Sequence, residues 1–308
     1  MKTLVVEPMP ELFWQKIDEN GWRDYFVTET SDDIEIVIIR TKTQVDKSFI
    51  TKFPKLKAII RAGTGFDNID VNEAVKRNIA VCNTPQANAL SAAEHTISFV
   101  FALLKQHRIA QDNLLQGSWK NNLQNNWEIS DLKVLVVGIG RVGSRVAKIL
   151  QNLGAEVHGV DPFLNESVWQ EKNIESISYQ DGLQWCNMLS FHCPLYKDTK
   201  HYFNMDILSK FINPFWLINT ARGKIVQEQA VVQGLSNKQI LGYAADVFTK
   251  EPWLGNAFAS YNNVYLSPHI GAHTLKAKNR LLKETLQVWK ELVFHGKITN
   301  SVDLKFCY

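Results

Sequence analysis

The sequence predicts an α/β protein made of two doubly wound parallel-sheet domains with a cleft between them. Three observations predict this. Strand-like apolar runs alternate with helical stretches nearly end to end. A strand, a glycine turn, a helix and a second strand follow one another over residues 133–161. That unit begins near residue 130, so a separate α/β domain precedes it.

The first block opens on Thr3–Val6, an apolar run that reads as a strand and is too short for a signal peptide. Further strands are expected at Ile34–Ile39, Ala58–Arg61 and Ile79–Cys82, with helical stretches such as Val71–Arg77 between them. Ser91–Leu115 reads as one long helix, opened by a Ser91/Glu94 capping box and apolar from Ile97 to Leu104. Gly117–Asp131, rich in Asn and Trp, reads as an irregular connection. Strands recur at Val134–Val137, Glu156–Val160, Met188–Phe191, Trp216–Asn219, Ile240–Asp246 and Val264–Leu266. The last helix, Thr274–His295, sets Leu281, Leu282, Leu286, Trp289, Leu292 and Val293 on one face, and Gly296 stops it.

The central unit has the chemistry of a dinucleotide site. After Val134–Val137 come Gly138-Ile139-Gly140-Arg141-Val142-Gly143 and a helix. Gly138 allows a tight turn, Gly140 lets a pyrophosphate approach the backbone, and Gly143 lets helix and strand pack closely. The helix N-terminus offers N–H groups and a positive dipole end. Asp161, closing the second strand, suits the two ribose hydroxyls and would repel a 2′-phosphate, so NAD is expected over NADP. Both domains are therefore read as Rossmann-like. The expected boundaries are residues 1–100 plus 280–308 for a discontinuous substrate-binding domain, and residues 101–279 for the NAD-binding domain. The terminal helix packs back on the first domain in this reading.

Composition narrows the class. A net charge of +3 over 308 residues gives no case for nucleic acid or an acidic membrane surface. The longest apolar run, Ile97–Leu104, is too short to span a bilayer. The four cysteines, Cys82, Cys186, Cys193 and Cys307, share no CxxC or zinc spacing, so no metal is expected. The first three sit in or beside apolar runs and read as buried free thiols, which suits a cytoplasmic location.

Seven ordered phrases carry a family resemblance. They are Arg61–Asp70 (RAGTGFDNID), Asn83-Thr84-Pro85 with Ser91–Glu94, the glycine fingerprint, and His192-Cys193-Pro194-Leu195. Asn219-Thr220-Ala221-Arg222-Gly223, Asp246–Pro252 and Ser267–Ala272 complete the set. In these the chain resembles the D-isomer-specific 2-hydroxyacid dehydrogenases, and within them the D-3-phosphoglycerate dehydrogenases in a short form without a regulatory domain. The resemblance implies NAD-dependent oxidation of a D-2-hydroxy acid, D-3-phosphoglycerate to 3-phosphohydroxypyruvate at the entry to serine synthesis. It implies catalytic roles for Arg222, Glu251 and His269. It implies cofactor contacts at Thr64, Gly138, Gly140, Arg141, Val142, Gly143, Asp161, Cys193, Thr220, Ala221, Asp246, Gly271 and Ala272. Cys193 stands where many phosphoglycerate dehydrogenases have Thr, and a backbone contact there tolerates the change. A homodimer built on Ser91–Leu115 is also implied.

The residue types fit that reaction. A neutral imidazole at His269 can take the hydroxyl proton, and Glu251 can hold its ring in one tautomer. Arg222 can grip a carboxylate bidentately. Gly63-Thr64-Gly65 can present N–H groups to the same carboxylate, and Arg40, with Lys42 and Arg61, is the candidate for a substrate phosphate. Two alternatives stay open: reduction of glyoxylate, hydroxypyruvate or another 2-oxo acid, and an NAD-sensing corepressor.

Overall fold

Ile34–Ile39 and Ala58–Arg61 are almost wholly apolar and almost wholly buried, which is how the inner strands of a parallel sheet look. The computed structural model describes residues 1–121, 123 and 126–302. Within them the chain divides into two units, Met1–Asn88 with the segment from His273 onward, and Ala89–Ala272.

The first unit holds β1 (Lys2–Val5), β2 (Phe26–Val27), β3 (Ile34–Ile39), β4 (Ala58–Arg61) and β5 (Ala80–Cys82). They form one parallel sheet in the order β2-β1-β3-β4-β5. Successive side chains of β3 go to opposite faces. Ile36 and Ile38 pack with Phe13, Ile17 and the C-terminal helix Leu275–His295 through Leu282, Leu286, Trp289 and Leu292. Val37 and Ile39 pack with Ile50, Phe53, Val71 and Ala74 on the other face. The fully buried Trp289 donates its indole N–H to the Thr3 hydroxyl at 2.9 Å, so its one polar atom is satisfied. Thr274 caps this helix by accepting from the Ala277 amide, and Gly296, at φ +61°, ends it.

The second unit holds β6 (Lys133–Val137), β7 (Glu156–Val160), β8 (Glu175–Ser176), β9 (Met188–Phe191), β10 (Phe215–Asn219), β11 (Ile240–Ala245) and β12 (Val264–Leu266). All run parallel in the order β12-β11-β10-β9-β6-β7-β8. Val134 and Val136 face a layer with Val146, Leu150, Val100 and Leu104; Leu135 and Val137 face Phe203, Phe215 and Val231. Strand order reverses at β6, which has β7 on one side and β9 on the other, and ligands of such sheets bind at the carboxyl ends beside that point. Because every strand is parallel, residues 138, 161, 192–193, 220–222, 246 and 267–269 all leave the sheet at that one edge.

Four details depart from the sequence reading. The long helix is two, Ala89–Lys105 and His107–Leu115, because Gln106 between them is left-handed at φ +50°. Lys105 donates to the Trp127 carbonyl and Gln106 to the Asn126 side chain, so the break is held in place. Ser91 is buried inside the first helix and does not cap it. The two-residue edge strands β2 and β8 are too short to show a period. Finally, the units meet at 88/89 and 272/273 instead of 100 and 280, because Phe99, Val100, Leu103 and Leu104 pack on the second sheet. Cys82, Cys186 and Cys193 are free and buried, and burial pushes their thiols up to about 11, 12 and 12, so they stay protonated. Cys307 lies outside the described residues. No described helix is long and apolar enough to cross a membrane.

Candidate active site

The glycine turn after β6 is built for close approach. Gly138 has φ +93°, and a methyl group on it would lie 2.5 Å from the Cys193 amide nitrogen. A methyl group on Gly143 would lie 1.9 Å from the Gly138 carbonyl oxygen. These two glycines are thus required by the protein's own packing. Gly140 differs: a methyl group there would meet no protein atom within 4 Å, and the residue is exposed. The space over Gly140 therefore fits a group from outside the chain, as a pyrophosphate over the helix Gly143–Asn152 would require. Arg141 is exposed and Val142 half-buried at the same helix start. Asp161, at the end of β7, accepts from the Ile139 amide at 2.9 Å and the Phe163 amide at 3.1 Å, one on each oxygen. Each oxygen keeps acceptor capacity for a ribose hydroxyl. His192, below the turn, meets the Ser190 hydroxyl at 2.8 Å, and burial pushes its imidazole down to about 3, so it stays neutral.

Arg222 sits on a turn fixed by Asn219, the fully buried last residue of β10. The Asn219 side chain accepts from the Ala221 amide at 3.1 Å and donates to the Arg222 carbonyl at 2.9 Å. Arg222 donates to the Ala221 carbonyl at 2.7 Å, and the Thr220 hydroxyl meets that of Thr96 at 2.8 Å. Gly223 then allows the backbone to touch the Phe248–Thr249 segment, since a methyl group on it would lie 1.9 Å from the Phe248 carbonyl carbon. The same segment leads to Glu251, whose Oε1 accepts from the Phe248 amide at 3.1 Å.

Glu251 Oε2 lies 2.7 Å from His269 Nδ1. Burial acts to raise the Glu251 carboxyl, but the His269 hydrogen bond and charge, the Phe248 amide and the Arg222 guanidinium outweigh it and hold the group below its ordinary value. The three residues expected to act together are therefore electrostatically joined. His269 itself is left-handed at φ +52°, a conformation a non-glycine residue adopts when its surroundings impose it. Asp246 imposes it. This nearly buried carboxylate accepts from the Ser267 hydroxyl at 2.5 Å and the Ile270 amide at 2.8 Å on Oδ1, and from the Gly271 amide at 2.8 Å on Oδ2. Gly271 has no room for a side chain, because a methyl group would lie 2.9 Å from Asp246 Oδ2. His95 Nε2 lies 2.8 Å from the Ser267 hydroxyl and 3.4 Å from Asp246 Oδ1. Burial would raise the Asp246 carboxyl, yet the His95, Ser267 and amide hydrogen bonds hold it below its ordinary value. Ala272 follows, half-buried.

In the first unit, Arg40 and Arg61 end neighbouring strands, with Ile39 paired to Arg61. The Arg61 guanidinium folds over Gly63, where a methyl group would overlap it, and Gly63 has φ +153°. Thr64 donates to the Thr84 carbonyl at 3.3 Å and accepts at its own carbonyl from Asn83 at 2.7 Å; Gly65 is half-buried beside it.

Residues 97–271 match the profile described as "D-isomer specific 2-hydroxyacid dehydrogenase, NAD binding domain". The chain belongs to the D-isomer-specific 2-hydroxyacid dehydrogenase family. Within this family, the D-3-phosphoglycerate dehydrogenase of Bacillus subtilis (strain 168) is 32% identical over 274 residues, 88% of this chain and 52% of that protein. That of Homo sapiens is 32% identical over 271 residues, 88% of this chain and 51% of that protein. The chain thus spans about half the length of these curated relatives. Among solved structures, D-lactate dehydrogenase from Aquifex aeolicus, complexed with NAD and lactic acid, is 25% identical with a TM-score of 0.83, over 98% of this chain and 100% of that one. A glyoxylate reductase from Paecilomyes thermophila shares the hydroxyacid dehydrogenase fold at 21% identity and TM-score 0.87, over 99% of each chain.

Asn219, Ser267 and His95 hold the Arg222 and His269 turns by hydrogen bonds, and sequence reasoning assigned them no role. Asn219 is the last residue of an apolar strand, and a polar residue that interrupts such a run just before a cationic turn is the one signal that pointed to it.

Proposed function

We propose that the protein oxidises a D-2-hydroxy acid with NAD, and that its substrate is D-3-phosphoglycerate, giving 3-phosphohydroxypyruvate. The observation that carries the reaction is the 2.7 Å contact of His269 Nδ1 with Glu251, which keeps that nitrogen engaged and leaves Nε2 for a substrate hydroxyl. His269 Nε2 accepts the hydroxyl proton as the C2 hydride leaves. Bound NAD supplies the hydride acceptor at its nicotinamide ring. Glu251 stabilises the imidazolium that forms. Arg222 holds the substrate carboxylate and polarises the developing carbonyl oxygen. Asp246 keeps His269 in position, and the acceptor site left on its Oδ2 suits a nicotinamide amide.

The phosphate assignment is supported by Arg40 and Lys42 in the first unit and by the phosphoglycerate dehydrogenases among the relatives. The test is NAD reduction by the purified protein across a panel of D-2-hydroxy acids, with Arg40→Ala alongside. Wild type should prefer D-3-phosphoglycerate, and Arg40→Ala should raise KM for it far more than for D-glycerate, the same acid without its phosphate. Equal effects on the two acids would remove the phosphate assignment. A stronger rate with NADH and glyoxylate or hydroxypyruvate would make the protein a 2-oxo acid reductase.

A homodimer belongs to the same proposal. The helix His107–Leu115 has no buried residue, and Leu114, Leu115 and Trp119 stand 57%, 77% and 71% exposed beside it, an apolar set that a second copy would cover.

A further inference from the structure

Glu7 follows β1, and the turn Arg40–Thr43 follows β3. The Glu7 carboxylate accepts three backbone N–H groups of that turn. Oε1 takes those of Arg40 at 2.9 Å and Thr43 at 3.0 Å, and Oε2 takes that of Lys42 at 3.1 Å. From elsewhere in the chain, the Asn68 amide donates to the carbonyls of Arg40 at 3.1 Å and Thr43 at 2.6 Å. The carbonyl of Pro8, next to Glu7, accepts from Arg40 Nη1 at 3.1 Å and so aims the guanidinium. Five backbone groups of one four-residue turn are thus bound by two side chains distant in sequence.

Packing does not call for this. None of the four residues is buried, and Thr41 and Lys42 are exposed. An exposed turn is ordinarily free to fluctuate. What this turn carries is positive charge, on Arg40 and Lys42. Glu7 is also a full carboxylate: burial would raise it, but the three amides outweigh burial and hold it below its ordinary value. A cationic turn ordered before binding loses little conformational freedom when an anion arrives, and it sets the distance at which that anion must sit.

We infer that Glu7 and Asn68 are positioning residues that lock the Arg40–Thr43 turn, so that its cations select 2-hydroxy acids bearing a second anionic group. This rests on the reading above that Arg40 receives the substrate's distal phosphate. Neither residue touches the reacting atoms in this account, so they act on substrate choice and not on turnover.

The test is steady-state kinetics of the full chain with saturating NAD, on D-3-phosphoglycerate and on D-glycerate, for wild type, Glu7→Gln and Asn68→Ala. Each variant should raise KM for the phosphorylated acid about tenfold. KM for D-glycerate and kcat on both acids should stay within about twofold. Equal KM rises on the two acids, or a fall in kcat on both, would reduce the clamp to a structural role and overturn the inference. If wild type prefers the phosphorylated acid and both variants keep the preference, the clamp fails while the substrate reading stands. If wild type shows no preference, the substrate reading fails and takes the clamp with it. Should one variant not fold, the other decides.

Discussion

The imidazole of His269 and the carboxylate of Glu251, 2.7 Å apart, belong to two loops that leave neighbouring strands of the second sheet. With Glu251 on Nδ1, only Nε2 can exchange a proton with substrate. His269→Gln should lower kcat by about 10²–10⁴ with little change in NAD affinity. Pre-steady-state rates in both directions would check this, and a variant that keeps the wild-type rate would exclude His269 as the proton carrier.

Gly223 joins the Arg222 turn to the Glu251 loop by a backbone contact that admits no side chain. Gly223→Ala should push the two loops apart. We expect kcat to fall about tenfold or more, with NAD dissociation constants nearly unchanged, because the glycine fingerprint is untouched. Calorimetric titration with NAD beside kinetics separates the two effects.

Asp246 links the fold's stability to pH. Its folded pKa is depressed, so the unfolded state binds the proton more tightly. The stabilisation is therefore complete above the unfolded value, about 4, and is lost as pH falls through the lower folded value. Asp246→Asn should flatten that acid limb in denaturant titrations. It should also cost about 3 kcal/mol near neutral pH, because an amide cannot accept from the Ser267 hydroxyl and both amides as a carboxylate does. Wild-type acid sensitivity in the variant would count against this account.

Asp161 should decide between cofactors. Asp161→Ala removes the charge that repels a 2′-phosphate and the acceptor for ribose, so KM for NAD should rise about tenfold while that for NADP falls or holds. A parallel NAD and NADP titration reads the ratio directly. An unchanged ratio would remove Asp161 from cofactor choice.

The apolar set beside the helix His107–Leu115 predicts a self-associating protein. Leu115→Glu should shift the sedimentation coefficient toward that of one chain at micromolar concentration, with wild type at that of two. A wild type that sediments as one chain at all concentrations would dismiss the dimer.

What the sequence by itself determined was whatever depends on spacing along the chain. The βαβ unit, its three glycines, Asp161 at its end and the apolar stripe of the last helix are all periodic or local, so they could be read before any coordinates. Arg222, Glu251 and His269 were legible through the phrases around them, not through any pattern that shows they meet. Only the tertiary structure decided how those residues are held. Asp246 under the His269 turn, Gly223 against Phe248, and Glu7 and Asn68 around residues 40–43 are contacts between segments far apart in sequence. Such hydrogen bonds carry no period and no propensity, because their partners become neighbours only when parallel strands deliver their ends to one edge. For the same reason the break at Gln106 was invisible: its neighbours favour helix, and it is stabilised by Asn126 and Trp127, about twenty residues on.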